Sequence, residues 1–242
     1  GRRIGNISSI ITVWSVCSIS MTSFWAPKPI AVVEFDDMEI RYDRNGLNYL
    51  FYWKAKFPKF KVTMFTIPGR VNKSFLDLLK PHLDWISLGV HGWEHNDNFE
   101  VTKWDQYMAN SVLDRAEALG SFQKVFRAPG WQITYPQPYN EQPDPTKPVN
   151  SDPQLIYRIL QDRGYIVADQ HYNKEKRPEG LKVYCTCHPW FTHGHVEDIN
   201  VGDPTGRNGM RQIEEEHGVP WDEHTEFQWI TDLKEEELTC RT

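Results

Sequence analysis

Two adjacent acids, Asp36 and Asp37, close a short β-branched run, Ile30 to Phe35, and two histidines four residues apart, His91 and His95, follow another apolar run. Two imidazoles and one carboxylate form a three-ligand set for a divalent metal and leave a coordination position for water. On a helical turn, i and i+4 spacing would put both imidazoles on one side, able to share one ion. The plainer reading of the same residues is two surface histidines on a polar loop and two acids capping the next helix. Gly92 follows His91, so the H-E-x-x-H arrangement of zincins is excluded. Successive strand side chains point to opposite sides, which would split the acids between two jobs: one holds metal, the other accepts a proton.

Three later groups fall at similar places. Arg127 precedes Pro129-Gly130 and, beside an aspartate, would hold it ionised and oriented. Asp169 ends another apolar run and could orient a histidine through its ring N–H, raising its pKa. His193 and His195 flank Gly194 and read either as loop residues or as a metal pair.

These groups must be positioned by the elements before them. Strands are expected at 30–35, 61–67, 85–90, 124–126, 164–168 and 182–187, and helices at 47–55, 74–79, 104–119 and after Asp152, which would cap its helix. A further short helix is expected near 210–217, and 226–231 reads as a last strand or helix start. Residues 132–152 hold five prolines and form a loop long enough to serve function. Strands alternating with helices give the α/β class with a mainly parallel sheet, in which strand ends converge on one face.

The chain has 242 residues, enough to bury a full core without disulfides. Its net charge of −6 argues against nucleic acid as a partner, which requires a basic face. No apolar run is long enough to span a bilayer. The four cysteines show no C-x2-C spacing, so a structural zinc knuckle is not expected, and Cys185-Thr-Cys187 is too tight for an easy mutual disulfide. Most of the ten tryptophans are expected in the core.

Taken in order, Glu34-Phe-Asp36-Asp37-Met38, His91-Gly-Trp-Glu-His95, Arg127-Ala-Pro129, Asp169 and His193-Gly-His195 resemble the motifs of the polysaccharide deacetylase family, the NodB-homology or carbohydrate esterase family 4 fold. The resemblance spans roughly residues 30–200. It implies a distorted parallel (β/α) barrel of seven or eight strands. It also implies a metal-dependent hydrolase that removes acetyl groups from an amino sugar or polysaccharide. By the resemblance, Asp37, His91 and His95 bind the metal, zinc first, with cobalt, nickel or manganese as alternatives. Asp36 is then the general base, Arg127 its orienting partner, and Asp169 the partner of an acid histidine, His195 or His193. Trp131, Pro129 and Tyr135 would contact the sugar. Met38 stands where the family has glycine, Gly92 where it has Ser or Thr, and Glu34 where Thr is common.

Residues 1–20 read as an extension or weak signal-like segment and 21–242 as a single catalytic domain. A start near Met21 would place the protein in the cytoplasm; a signal in residues 1–20 would send it out. The same motifs also suit an amidohydrolase acting on a non-sugar amide, or an inactive carbohydrate-binding homologue. Oligomeric state is not legible in the sequence.

Overall fold

Every strand pairing in the sheet is parallel, and each strand delivers its C-terminal end to the same side. The computed structural model describes residues 30–41, 46–134, 152–185, 191–196, 219 and 221–238. Its sheet contains β1 (Ile30–Met38), β2 (Val62–Thr66), β3 (Ile86–His91), β4 (Phe122–Arg127), β5 (Ile166–Asp169), β6 (Val183–Cys185), β7 (Phe191–His195) and β8 (Glu226–Phe227). The order is β6-β5-β4-β3-β2-β1-β7, with β8 also pairing β1. This is a half-closed, distorted (β/α) barrel. The expectations for residues 1–20, Met21, Tyr135, the helix near 210–217 and most of the proline-rich loop lie outside the described residues.

The helices are α1 (Leu47–Lys56), α2 (Lys73–Leu79), α3 (Gln106–Ala118), α4 (Leu155–Asp162) and a last short turn, α5 (Glu235–Leu238). Asp105 caps α3 by accepting from the backbone N–H of Met108 at 2.7 Å, and Asn72 does the same for α2 through Phe75 at 2.9 Å. Each such cap contributes about 1 kcal/mol. Helix α3 buries Ala109, Val112, Leu113 and Ala116, the i, i+3, i+4, i+7 stripe of a helix laid on a sheet. Strands β1, β2 and β3 are covered on both faces, which explains their unbroken apolar runs.

Two expectations are corrected. Asp152 does not cap α4; that position is Gln154, while Asp152 accepts from the Gln154 backbone and pairs with Arg158 one turn on. His193 and His195 are not in a loop after β6 but on a strand of their own, β7, alongside β1. Cys185, at the end of β6, is disulfide-bonded, which the cysteine spacing did not reveal. Among the described tryptophans, Trp53, Trp85, Trp104 and Trp221 are buried and Trp93, Trp131 and Trp229 are half-buried, with Trp53, Phe60, Trp221 and Phe227 packed ring against ring under β1. No helix among the described residues is long and apolar enough to cross a membrane.

Candidate functional site

Parallel register alone brings most of the candidate residues together. β3 and β4 pair with His91 opposite Arg127, and β1 and β7 pair with Asp36 opposite His195 and Glu34 opposite His193. The acids enter through a break in β1. Its register with β2 shifts between Phe35 and Met38, and Asp37 takes a left-handed φ of 70°. A regular strand would have sent the adjacent acids to opposite faces. The bulge turns both toward one site, so Asp36 Oδ2 lies 4.0 Å and Asp37 Oδ1 3.3 Å from the same His91 Nε2.

The two histidines meet by a different route from the expected helical turn. His91 is the last residue of β3, and a turn carries the chain to His95 through positive φ at Gly92 (63°) and at His95 itself (49°). Asp37, His95 and Trp131 are the non-glycine residues with positive φ among those described, and all three are at this site. Left-handed backbone at such residues costs about 1–3 kcal/mol each and persists where the surroundings impose it.

What imposes it on His95 is Glu100, a residue that sequence reading passed over. Its carboxylate accepts the backbone N–H groups of Trp93 (2.9 Å), Glu94 (3.1 Å) and His95 (2.7 Å). A Cβ on Gly92 would lie 2.8 Å from both Glu100 Oε2 and Pro129 Cγ. Glycine is therefore required here, and the turn is held by a carboxylate from outside it. The only signal in the sequence was an acid five residues past His95, which a solvated loop would also carry.

Asp37 Oδ1 lies 3.3 Å from His91 Nε2 and 3.2 Å from His95 Nε2, and it is a buried oxygen with no hydrogen-bond partner among the described residues. The three ligand atoms lie within 4.8 Å of one another. His91 Nδ1 sits 3.0 Å from the carbonyl oxygen of Arg127. A carbonyl only accepts, so Nδ1 carries the proton and the Nε2 lone pair faces Asp37. An orphaned carboxylate oxygen between two imidazole nitrogens, one with its tautomer set from behind, suits a divalent cation of the borderline type that zinc represents. Burial by itself would raise the Asp37 pKa; the nearby His91 and His95 imidazoles outweigh it and hold the carboxylate well below its usual range.

Asp36, His193 and His195 form a second group of comparable compactness. Arg127 decides between the two groups. Its Nη1 donates to Asp36 Oδ1 at 2.7 Å and lies 3.2 Å from His193 Nδ1. A guanidinium only donates, so His193 Nδ1 accepts and its proton is on Nε2, the nitrogen a metal would need. The fixed positive charge also opposes a cation there. Burial, then Arg127, His195 and His91, push the His193 pKa down to about 3, against the pull of Asp36, so this ring is neutral. Burial would raise Asp36, but the Arg127 guanidinium, the largest opposing influence, keeps it below the ordinary range. His195 has a side chain 45% exposed, against 18% for His193.

Arg127 is fully buried, with its guanidinium carbon 4.0 Å from the Phe65 ring centre and 3.9 Å from that of Trp131. Its other arm, Nη2, donates to Glu34, which is also fully buried. Burial is the main cause that pushes the Glu34 pKa up to about 8, with Asp36 adding and Arg127 opposing.

Asp169 is not brought to either histidine. Its oxygens accept from Tyr157 Oη (2.7 Å), Asn173 Nδ2 (2.8 Å), Arg177 Nε (3.1 Å) and the Gln170 backbone (2.7 Å). Its place is in a buried polar network beside the site, which reaches the carbonyl of Trp131 through Asn173. Pro129 is buried against the Gly92 turn rather than presented to solvent. Trp131 is half-buried, its ring 5.4 Å from that of His193.

No protein-family profile and no curated protein matches the chain by sequence. Solved structures do resemble it in backbone. A family 4 carbohydrate esterase from Streptomyces lividans, in complex with acetate, is 15% identical with a TM-score of 0.44, covering 80% of this chain and 91% of that one. A family 4 acetyl xylan esterase from Clostridium thermocellum, in complex with a cobalt ion, is 12% identical with a TM-score of 0.47, covering 84% and 89%. A carbohydrate esterase family 4 pseudoenzyme from Bacillus anthracis is 9% identical with a TM-score of 0.37, covering 83% and 71%. The chain is similar in backbone to carbohydrate esterases of family 4, one of them a pseudoenzyme.

Proposed function

We propose that this chain is a metal-dependent deacetylase acting on N-acetylated amino sugars, alone or within a polysaccharide, with residues 21–242 as its catalytic domain. The observation that carries the reading is the arrangement around Asp37 Oδ1: two imidazole nitrogens within 3.3 Å, and beside them a second carboxylate, Asp36, tied at one oxygen to a buried arginine. Asp37, His91 and His95 would hold the ion. A bound zinc supplies Lewis acidity, polarising the acyl carbonyl and acidifying water.

Asp36 is the general base. Arg127 engages its Oδ1 and leaves Oδ2 directed toward the space between His91 and His193. As the water oxygen bonds to the acyl carbon, Asp36 Oδ2 takes the water proton. His195, the more exposed of the β7 pair, gives a proton to the sugar nitrogen as the carbon–nitrogen bond breaks, releasing acetate and a free amine. His193, neutral with its proton on Nε2, cannot supply that proton readily and serves as a hydrogen-bond donor to Asp36 or to the developing oxyanion. Trp131, half-buried with Arg127 over its ring, would contact the sugar with its exposed part.

The test is zinc content and acetate release, measured together on a panel of N-acetylated sugars and oligomers, for wild type and His91→Ala. One zinc per chain with acetate release, both lost in the variant, supports the reading. Zinc without acetate release from any sugar would refute the deacetylase. No zinc under any loading condition would refute the metal centre itself.

A further inference from the structure

Glu34 and Asp36 are two residues apart on β1, on the same face, and both reach Arg127. The guanidinium is divided between them, Nη2 to Glu34 and Nη1 to Asp36 Oδ1. An arginine facing a single carboxylate prefers to bind it with two parallel N–H bonds, one to each oxygen. If nothing held Nη2 at residue 34, the fork could close on Asp36 and engage Oδ2. That is the oxygen 4.0 Å from His91 Nε2 and 3.8 Å from His193 Nε2, the one left to receive a proton.

We propose that Glu34 is a positioning residue: it holds one arm of Arg127 and so keeps Asp36 Oδ2 open as a proton acceptor. The inference rests on the reading of Asp36 as general base. It requires at position 34 an acceptor that reaches Nη2, and does not require a charge. Glu34 Oε1 has no hydrogen-bond partner among the described residues, so an amide there exchanges one unpaired polar group for another. Gln therefore supplies what is needed, and Met, of similar volume, does not.

The experiment compares zinc-loaded wild type, Glu34→Met and Glu34→Gln in steady-state deacetylation of an N-acetylated sugar oligomer, with zinc content measured for each. Glu34→Met is expected to lose about tenfold or more in kcat, the scale on which a misplaced base is felt, with KM and zinc content held. Glu34→Gln is expected to stay within about threefold of wild type in kcat, since an amide oxygen still accepts from Nη2. A Met variant with wild-type kcat overturns the proposal, as does a Gln variant that falls as far as Met. If Glu34→Met does not fold, the crystal structure of Glu34→Gln decides. Arg127 still divided between residue 34 and Asp36 supports the anchor; both arms on Asp36 with undiminished kcat overturns it. If wild type binds zinc but releases no acetate, the deacetylase reading fails on its own. The crystal structures of the Met and Gln variants then still show whether Arg127 closes on Asp36 when the acceptor is removed.

Discussion

The backbone N–H of His95 donates to the Glu100 carboxylate at 2.7 Å, and the N–H groups of Trp93 and Glu94 donate to the same carboxylate. One side chain thus holds the turn on which a candidate metal ligand stands. Glu100→Ala should weaken zinc binding about 10–100-fold, the usual cost of losing an outer support of a metal ligand, with the fold retained. Competition against a chromophoric zinc chelator measures it; unchanged affinity would show that the turn holds itself.

Gly92 faces that carboxylate and Pro129 with no room for a Cβ, at a φ of 63°. Gly92→Ser should destabilise the protein by about 1–3 kcal/mol through overpacking and left-handed strain. It should also lower zinc affinity, because relief requires Glu100 to move. Urea unfolding of the two proteins checks the first part, and a serine variant as stable as wild type would contradict the described turn.

Asp36 touches the candidate ligand His91 only at 4.0 Å, whereas Asp37 lies between both histidines. Asp36→Asn should therefore keep its zinc and lose about 10²–10⁴-fold in kcat, the range for a general base. Asp37→Asn should lose both. Metal analysis beside the rate assay separates the two. An Asp36→Asn protein that turns over at the wild-type rate would remove Asp36 from the role of base.

Glu34 gives stability a pH dependence with a definite sign. Burial raises its pKa from an ordinary 4.5 to about 8 in the folded chain, so the folded state holds this proton more tightly than the unfolded state. The contribution is fully present below the ordinary carboxyl range and is lost as pH rises toward 8. Glu34→Gln cannot titrate, so its stability relative to wild type should increase between pH 5 and pH 8. Denaturant unfolding at the two pH values reads the difference; a relative stability that is flat or falls would mean Glu34 is ionised throughout by Arg127.

Much of this was legible because it depends on local rules. The apolar runs of β1 to β5, the stripe of α3, and polar residues waiting at strand ends follow from burial and periodicity. Those residues converge because parallel strands end on one side. Where local rules misled, long-range packing had overridden them. Strand alternation sends Asp36 and Asp37 to opposite faces, and a bulge puts them on one. The i, i+4 spacing would pair His91 and His95 across a helical turn, and a left-handed turn held by Glu100 pairs them instead.

The sequence by itself determined the α/β class, the alternation of strands and helices from β1 to β5 and the residue types available for a metal centre, since each follows from spacing along the chain. Only the tertiary structure decided which group faces which. Asp169 went to Tyr157, Asn173 and Arg177 rather than to a histidine, and His193 and His195 came to lie on a strand beside β1. Arg127 was divided between Glu34 and Asp36. Buried donors and acceptors must find partners wherever the packed chain provides them. Those partners are 91 residues apart for Arg127 and Asp36, a distance over which no local pattern carries information.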